Sequence, residues 1–262
     1  MKKVFLGLVA ILALIVTPAL AADMPVKAPE APVVSPEYNW SGFYVGANAG
    51  WVDSSYNWRY TNPVPVTCCA PFSASVTDAI IGGHVGAQWQ WSHIVVGIEG
   101  AASAFVNSSW ASGAGCINTA PAFVCQIQPQ EVETLGGRLG YAWSNWLIYG
   151  DGGGARSGVA SRLNAGGITA DNTESTYKNG WYAGAGVEYV LMRGSFFDLI
   201  GGVEYQHIDL GNQTQLSSLD AFSACPPGVN CRNISAKEDL VRFRLSVKWN
   251  PFAPAAALAA RN

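Results

Sequence analysis

Four acids, Glu99, Asp151, Glu188 and Glu204, and four bases, Arg138, Arg242, Arg244 and Lys248, stand in segments otherwise built of apolar and small residues. An isolated charge taken out of water is very costly, so groups in such surroundings must neutralise one another or face solvent. Equal numbers of each sign predict mutual ion pairing. The three histidines, His84, His93 and His207, fall on different runs of sequence, and only His207 has an acid close by, Asp209. That local pair reads as surface chemistry, with haem or metal ligation by His207 as the competing reading. The three glycines Gly152–Gly154 are not a phosphate loop, because no Lys-Ser/Thr follows them. No catalytic constellation and no metal or cofactor site is predicted, so the chain is not read as an enzyme.

The N-terminus sets the compartment. Met1, Lys2 and Lys3 precede an apolar run from Val4 to Val16, too short to span a bilayer, and Ala19-Leu20-Ala21 supplies small residues for cleavage. Residues 1–21 are therefore an export signal. Loss of Lys2 and Lys3 makes a chain of formal net charge −3 more acidic still, which argues against a nucleic-acid partner. In an exported chain the six cysteines are disulfide-capable. Connectivity stays open from sequence, but short loops close easily, which favours Cys116 with Cys125 and Cys225 with Cys231. Adjacent Cys68 and Cys69 form either a strained vicinal bridge or two thiols. A zinc site would need a histidine at ligand spacing from one of these pairs, and none has it.

Residues 22–38 are Pro-rich and read as an extended, solvated periplasmic linker. Beyond them the texture changes to short alternating runs, the signature of strands whose successive side chains face opposite ways. Phe43, Val45, Ala47, Ala49 and Trp51 oppose Tyr44, Gly46, Asn48 and Gly50. Ile81, Val85, Ala87, Trp89 and Trp91 oppose Gly82, His84, Gly86, Gln88 and Gln90. The pattern recurs from Ile94, from Thr134, from Trp181, from Phe197 and from Val241. An eighth run from Trp146 to about Ser157 is ambiguous, because both its faces begin apolar; Asp151 is placed inward, since a carboxylate facing lipid would be costly. The eight charged residues named above all fall on the less apolar face.

Connections alternate in length. Ser92-His93, Ser144-Asn145 and Met192 to Gly194 are tight turns, whereas those near 53–78, 107–131, 158–177 and 210–237 are long and hold every cysteine. A strand-turn-strand pattern recurs at Gly86–Gly100, Gly137–Gly154 and Gly184–Gly202, and Trp89, Trp91, Trp143, Trp146 and Trp249 gather beside the short turns. Short turns on one side, long loops on the other and aromatic bands together predict an all-β fold. It is an eight-stranded antiparallel transmembrane β-barrel at residues 39–250, with a C-terminal Ala-rich tail at 251–262. Backbone amides in hydrocarbon have no water to bond, so a sheet there must close on itself, and its polar residues then turn inward. A soluble sandwich or lipocalin-like barrel would place apolar residues inside and charge outside.

Three segments, Pro36 to Trp51 (PEYNWSGFYVGANAGW), Gly137 to Tyr149 (GRLGYAWSNWLIY) and Val241 to Trp249, resemble the small outer-membrane "porin family" proteins of alphaproteobacteria, the immunogenic, opacity-like barrels. The resemblance implies an abundant eight-stranded barrel of the cell outer membrane with roles in envelope integrity or host contact; some relatives bind haem. It implies as partners the outer-membrane lipid and lipopolysaccharide, the barrel-assembly machinery, and peptidoglycan or a host surface, with the chain a monomer or weak oligomer. One departure is that such barrels end on an aromatic residue, whereas here Trp249 is followed by Asn250, Pro251 and the tail. Eight strands leave an interior that side chains can fill, so the expectation is a lumen plugged by charge pairs. The alternatives are a narrow channel for small solutes and loop-mediated binding of a ligand or host surface.

Overall fold

The computed structural model describes residues 37–60, 72–112, 123–165, 168–172, 176–216, 230–249 and 251. It contains ten strands in chain order: β1 Gly42–Tyr60, β2 Phe72–Trp91, β3 Ile94–Phe105, β4 Ala111–Ser112, β5 Phe123–Trp143, β6 Trp146–Ala165, β7 Ile168–Asn172, β8 Thr176–Arg193, β9 Asp198–Leu216 and β10 Asn230–Trp249. Eight of them close into an antiparallel barrel in the order β1-β2-β3-β5-β6-β8-β9-β10, with β10 returning to β1 from Phe43↔Trp249 to Tyr60↔Arg232. The two short strands extend neighbouring rows: β4 pairs with β5 beyond the end of β3, and β7 pairs with β6 beyond the end of β8.

Two of the short turns are those expected. Ser92 and Ser144, each the first residue of a two-residue turn, take φ of 54° and 55°, the positive value that primed hairpin turns require. The third turn lies later than Met192–Gly194: β8 continues to Arg193 through an irregularity between Val190 and Met192, and the chain turns over residues 194–197.

Side-chain exposure is inverted relative to a soluble protein. At the level of the short-turn half of the barrel the exposed residues are apolar, among them Leu135 at 69% and Trp143 at 70%, while Glu204 and Arg242 are buried. Lipid, which has no use for polar groups, is the solvent this face is built for. On β1 the outward apolar positions run from Phe43 to Trp51. That is roughly 26 Å of strand at about 3.3 Å per residue, and roughly 20 Å along the barrel axis after a tilt of about 40°.

The strands do not stop there, and this corrects the expected loop boundaries. Asp53, Thr77, Glu133, Arg156, Asn179 and Asp239 are the next outward residues on their strands, and they lie in register: Asp53 faces Asp239 and Thr77, and Arg156 faces Glu133 and Asn179. Past this polar rim the sheet continues into a collar with opposite polarity. Its interior packs Val52, Trp58, Val76, Ile127, Val132, Val159, Ile208, Leu210, Ile234 and Leu240. The inner face therefore turns apolar where the outer face turns polar. A strand entering water needs an ordinary hydrophobic core, and one in lipid does not. Segments assigned to long loops are thus partly sheet, and Cys125 and Cys231 fall on β5 and β10 rather than in loops. Cys68, Cys69, Cys116 and Cys225 lie outside the described residues, as do the leader, most of the linker and nearly all of the tail.

Candidate functional site: the barrel lumen

The middle of the lumen holds three arginines and three glutamates in one connected cluster. Arg244 on β10 bonds Glu99 on β3 through two nitrogens, Nη1 to Oε1 at 2.7 Å and Nη2 to Oε2 at 2.5 Å. The same Nη1 donates to Glu204 Oε1 at 2.8 Å, and Arg244 Nε lies 3.5 Å from Glu188. Arg242 donates to Glu204 from Nε at 3.1 Å and from Nη2 at 2.5 Å. Arg138 on β5 reaches Glu188 on β8 at 3.0 Å and Glu99 at 3.4 Å. Charge-assisted bonds of this kind are among the strongest polar contacts a protein makes, and two of them, Arg244–Glu99 and Arg138–Glu188, span strands that are not neighbours in the sheet.

Two tyrosines complete the cluster. Tyr44 Oη donates to Glu99 at 2.7 Å and accepts from Arg138 at 3.0 Å; Tyr149 Oη donates to Glu204 at 3.1 Å, and the Arg138 guanidinium lies 3.9 Å from the Tyr149 ring centroid. Neither ring would fit without an inward glycine beside it. A Cβ on Gly86 would come within 2.3 Å of Tyr44, and one on Gly186 within 2.5 Å of Tyr149. These glycines exist to let rings lie flat against the wall.

Asp151 and Lys248 stand apart from this cluster. Asp151 faces inward and accepts from Gln206 Nε2 at 2.6 Å, but it has no ion pair among the described residues, although Arg138 is its cross-strand neighbour. Arg138 is already engaged by two glutamates, so the expected pairing of Asp151 with a base is replaced by an amide bond. Lys248 lies at the short-turn end, 3.8 Å from Asp198, with Nζ donating to the backbone oxygens of Asn39 and Ser41.

That end is closed by residues assigned to the linker and the strand approach. Tyr38 and Trp40 are buried inside the barrel with Val95, Ala142, Leu147, Tyr149, Val190 and Ile200. Tyr38 Oη donates to Asp198 at 2.7 Å, Trp40 N donates to Gln90, and Gln88 donates to Trp40 O. Tyr38, the last residue assigned to the solvated linker, thus docks inside the barrel together with Trp40. The signal was present in sequence: the apolar inner face of Trp146–Tyr149, which made that run ambiguous, is the seat for Trp40.

A closed antiparallel cylinder with an apolar outer belt, a polar rim and ion pairs inside defines a transmembrane β-barrel of the bacterial outer-membrane type. The chain matches the outer membrane protein beta-barrel domain family over residues 8–224. It is 31% identical to the 31 kDa outer-membrane immunogenic protein of Brucella melitensis over 232 residues, 85% of this chain and 92% of the relative. It is 30% identical to the 25 kDa outer-membrane immunogenic protein of Brucella ovis over 200 residues, 74% of this chain and 83% of the relative. Among solved structures it is similar to the outer membrane protein OprG from Pseudomonas aeruginosa, with a TM-score of 0.42 at 12% identity, covering 80% of this chain and 97% of that one. The chain belongs to the alphaproteobacterial outer-membrane β-barrel family of the immunogenic proteins, and its place is the cell outer membrane.

Proposed function

We propose that this protein is an occluded envelope barrel whose work is done by its surface and its anchorage, with a lumen that does not conduct. What carries this reading is the filling of the interior in three successive layers. Tyr38 and Trp40 occupy the short-turn end, the Arg–Glu cluster the middle and the apolar collar the far end. A path for ions would have to cross two apolar layers and displace arginines of which two, Arg138 and Arg244, are each held by more than one carboxylate, and neither step is cheap. The partners of such a barrel are the lipid and lipopolysaccharide around its belt, the assembly machinery that inserts it, and peptidoglycan or a host surface reached from its ends; no catalytic role is part of this reading. Refolded protein in a planar bilayer tests it. Negligible conductance at neutral pH is expected, and large, stable openings would reject the proposal.

A further inference from the structure

We propose that Glu238 is a proton-operated latch of the collar: as a neutral acid it ties β10 to β6 across the interior, and when ionised it admits water and loosens the far end.

Glu238 lies one residue beyond the polar rim marked by Asp239, outside the lipid-facing belt, and it is completely buried in the collar. Ser157 Oγ on β6 donates to its Oε1 at 3.0 Å. In the barrel order β9 and β8 stand between β10 and β6, so this bond crosses the interior and clamps opposite walls. The other oxygen, Oε2, has no hydrogen-bond partner among the described residues, and neither has Ser54 Oγ or Tyr56 Oη, both on β1 and both buried. Ser54 is the cross-strand neighbour of Glu238. A protonated Oε2 can donate to one of these hydroxyls and an ionised one can only accept from them, so hydrogen bonding serves either form and the cost of burying the charge decides between them.

Among the described residues no cation answers Glu238. The other charged groups facing the collar interior there are Lys178 on β8 and Asp78 on β2, and the phenols of Tyr56 on β1 and Tyr182 on β8 are its further titratable groups. Lys178 Nζ donates to Ile234 O at 3.0 Å. Asp78 is held by the Asn107 side chain and the Ser108 and Ala79 amides. The remaining walls present Ile208 and Leu210 from β9, Phe105 from β3 and Val132 from β5. Desolvation in this apolar setting pushes the Glu238 carboxyl up to about 7, opposed only by the Ser157 bond. Loss of the proton to bulk water at higher pH leaves a buried carboxylate that entering water stabilises further than the Ser157 bond alone. The latch acts above the charge layer and holds whether or not the lumen conducts.

Hydrogen exchange of the refolded full chain in lipid, wild type against Glu238→Gln, tests it at about pH 5.5 and about pH 8.5, where comparison at equal pH cancels the intrinsic rate. The amide side chain keeps the neutral form at both values. The expected result is equal collar exchange at the lower pH and, at the higher, wild-type exchange over 53–59 and 233–239 faster by up to about thirty-fold, with the belt unchanged. Equal rates at both pH values, or a difference spread evenly over belt and collar, would overturn the latch. Should Glu238→Gln fail to refold, Ser157→Ala carries the same test. It is expected to raise collar exchange at the lower pH, and unchanged exchange there would overturn the proposal.

Discussion

Arg244 and Glu99 form a side-by-side pair across the barrel, two guanidinium nitrogens on two carboxylate oxygens at 2.7 and 2.5 Å, and the same arginine also holds Glu204. Its removal takes from Glu99 its two-nitrogen partner and from Glu204 one of two arginines, leaving three buried glutamates with two arginines between them. Arg244→Ala is therefore expected to cost about 3–5 kcal/mol of unfolding free energy, since breaking a buried pair leaves an uncompensated charge. Arg244→Lys should recover only part of this, because an ammonium has no planar fork to match a carboxylate. Urea titration of refolded protein, read by the shift between folded and heat-denatured gel mobility, checks both. A loss under 1 kcal/mol for the alanine variant would show that the cluster is not held as a unit.

Trp40 closes the short-turn end by burying its whole ring against Leu147, Val190 and Ile200. Trp40→Ala is expected to cost about 3–5 kcal/mol, the usual loss for a large aromatic in a packed site. Conductance in a planar bilayer should stay at baseline in this variant, because the arginine layer behind it is intact. A stable opening produced by this substitution alone would make Trp40 the principal barrier.

The belt and the rim should respond differently to charge. Leu139 faces lipid near mid-height, between Trp143 at one edge and Glu133 at the other, so Leu139→Arg is expected to cost about 2–4 kcal/mol. Asp53→Lys, on the outward rim, should change stability by about 1 kcal/mol or less. Refolding into vesicles across a urea series separates the two. Equal costs would mean that the hydrocarbon boundary is not where the outward side chains change from apolar to polar.

Much of this architecture was legible in sequence, for identifiable reasons. Alternation with a period of two exposed the barrel strands apart from the ambiguous run from Trp146, and the inward position of Glu99, Arg138, Glu188, Glu204, Arg242 and Arg244 followed from parity once the opposite face was apolar. Tyr44 and Gln206 share that parity, but a tyrosine or an amide does not demand a partner as a charge does, so sequence gave no reason to single them out. The collar was hidden because its polarity inverts. Asp53, Ser55 and Asn57 on the outer face of β1 look like loop residues, and only their neighbours Val52, Tyr56 and Trp58, buried on the inside, reveal a strand that has left the membrane. The docking of Tyr38 and Trp40 was hidden by the Pro-rich sequence before them, which reads as linker up to Tyr38.

Lys178 gives a last prediction, with a sign opposite to that of most buried charges engaged in pairs. It is fully buried in the collar one residue beyond Asn179, its Nζ held by a single backbone oxygen, and desolvation lowers its ammonium to about 8. The folded state thus binds fewer protons than the unfolded state between about pH 8 and the ordinary lysine value near 10.5, so stability rises with pH through that window and is lost as pH falls through it. At neutral pH the charged lysine is a burden on the fold. Lys178→Met keeps the aliphatic stem and removes the charge, and it is expected to stabilise the protein by about 1–3 kcal/mol at pH 7, less whatever the bond to Ile234 contributes. The gain should shrink steadily as pH approaches 10. Denaturation of both proteins across that range measures it, and a methionine variant that is less stable at pH 7, or whose advantage does not vary with pH, would show that Lys178 is compensated in a way its surroundings do not indicate.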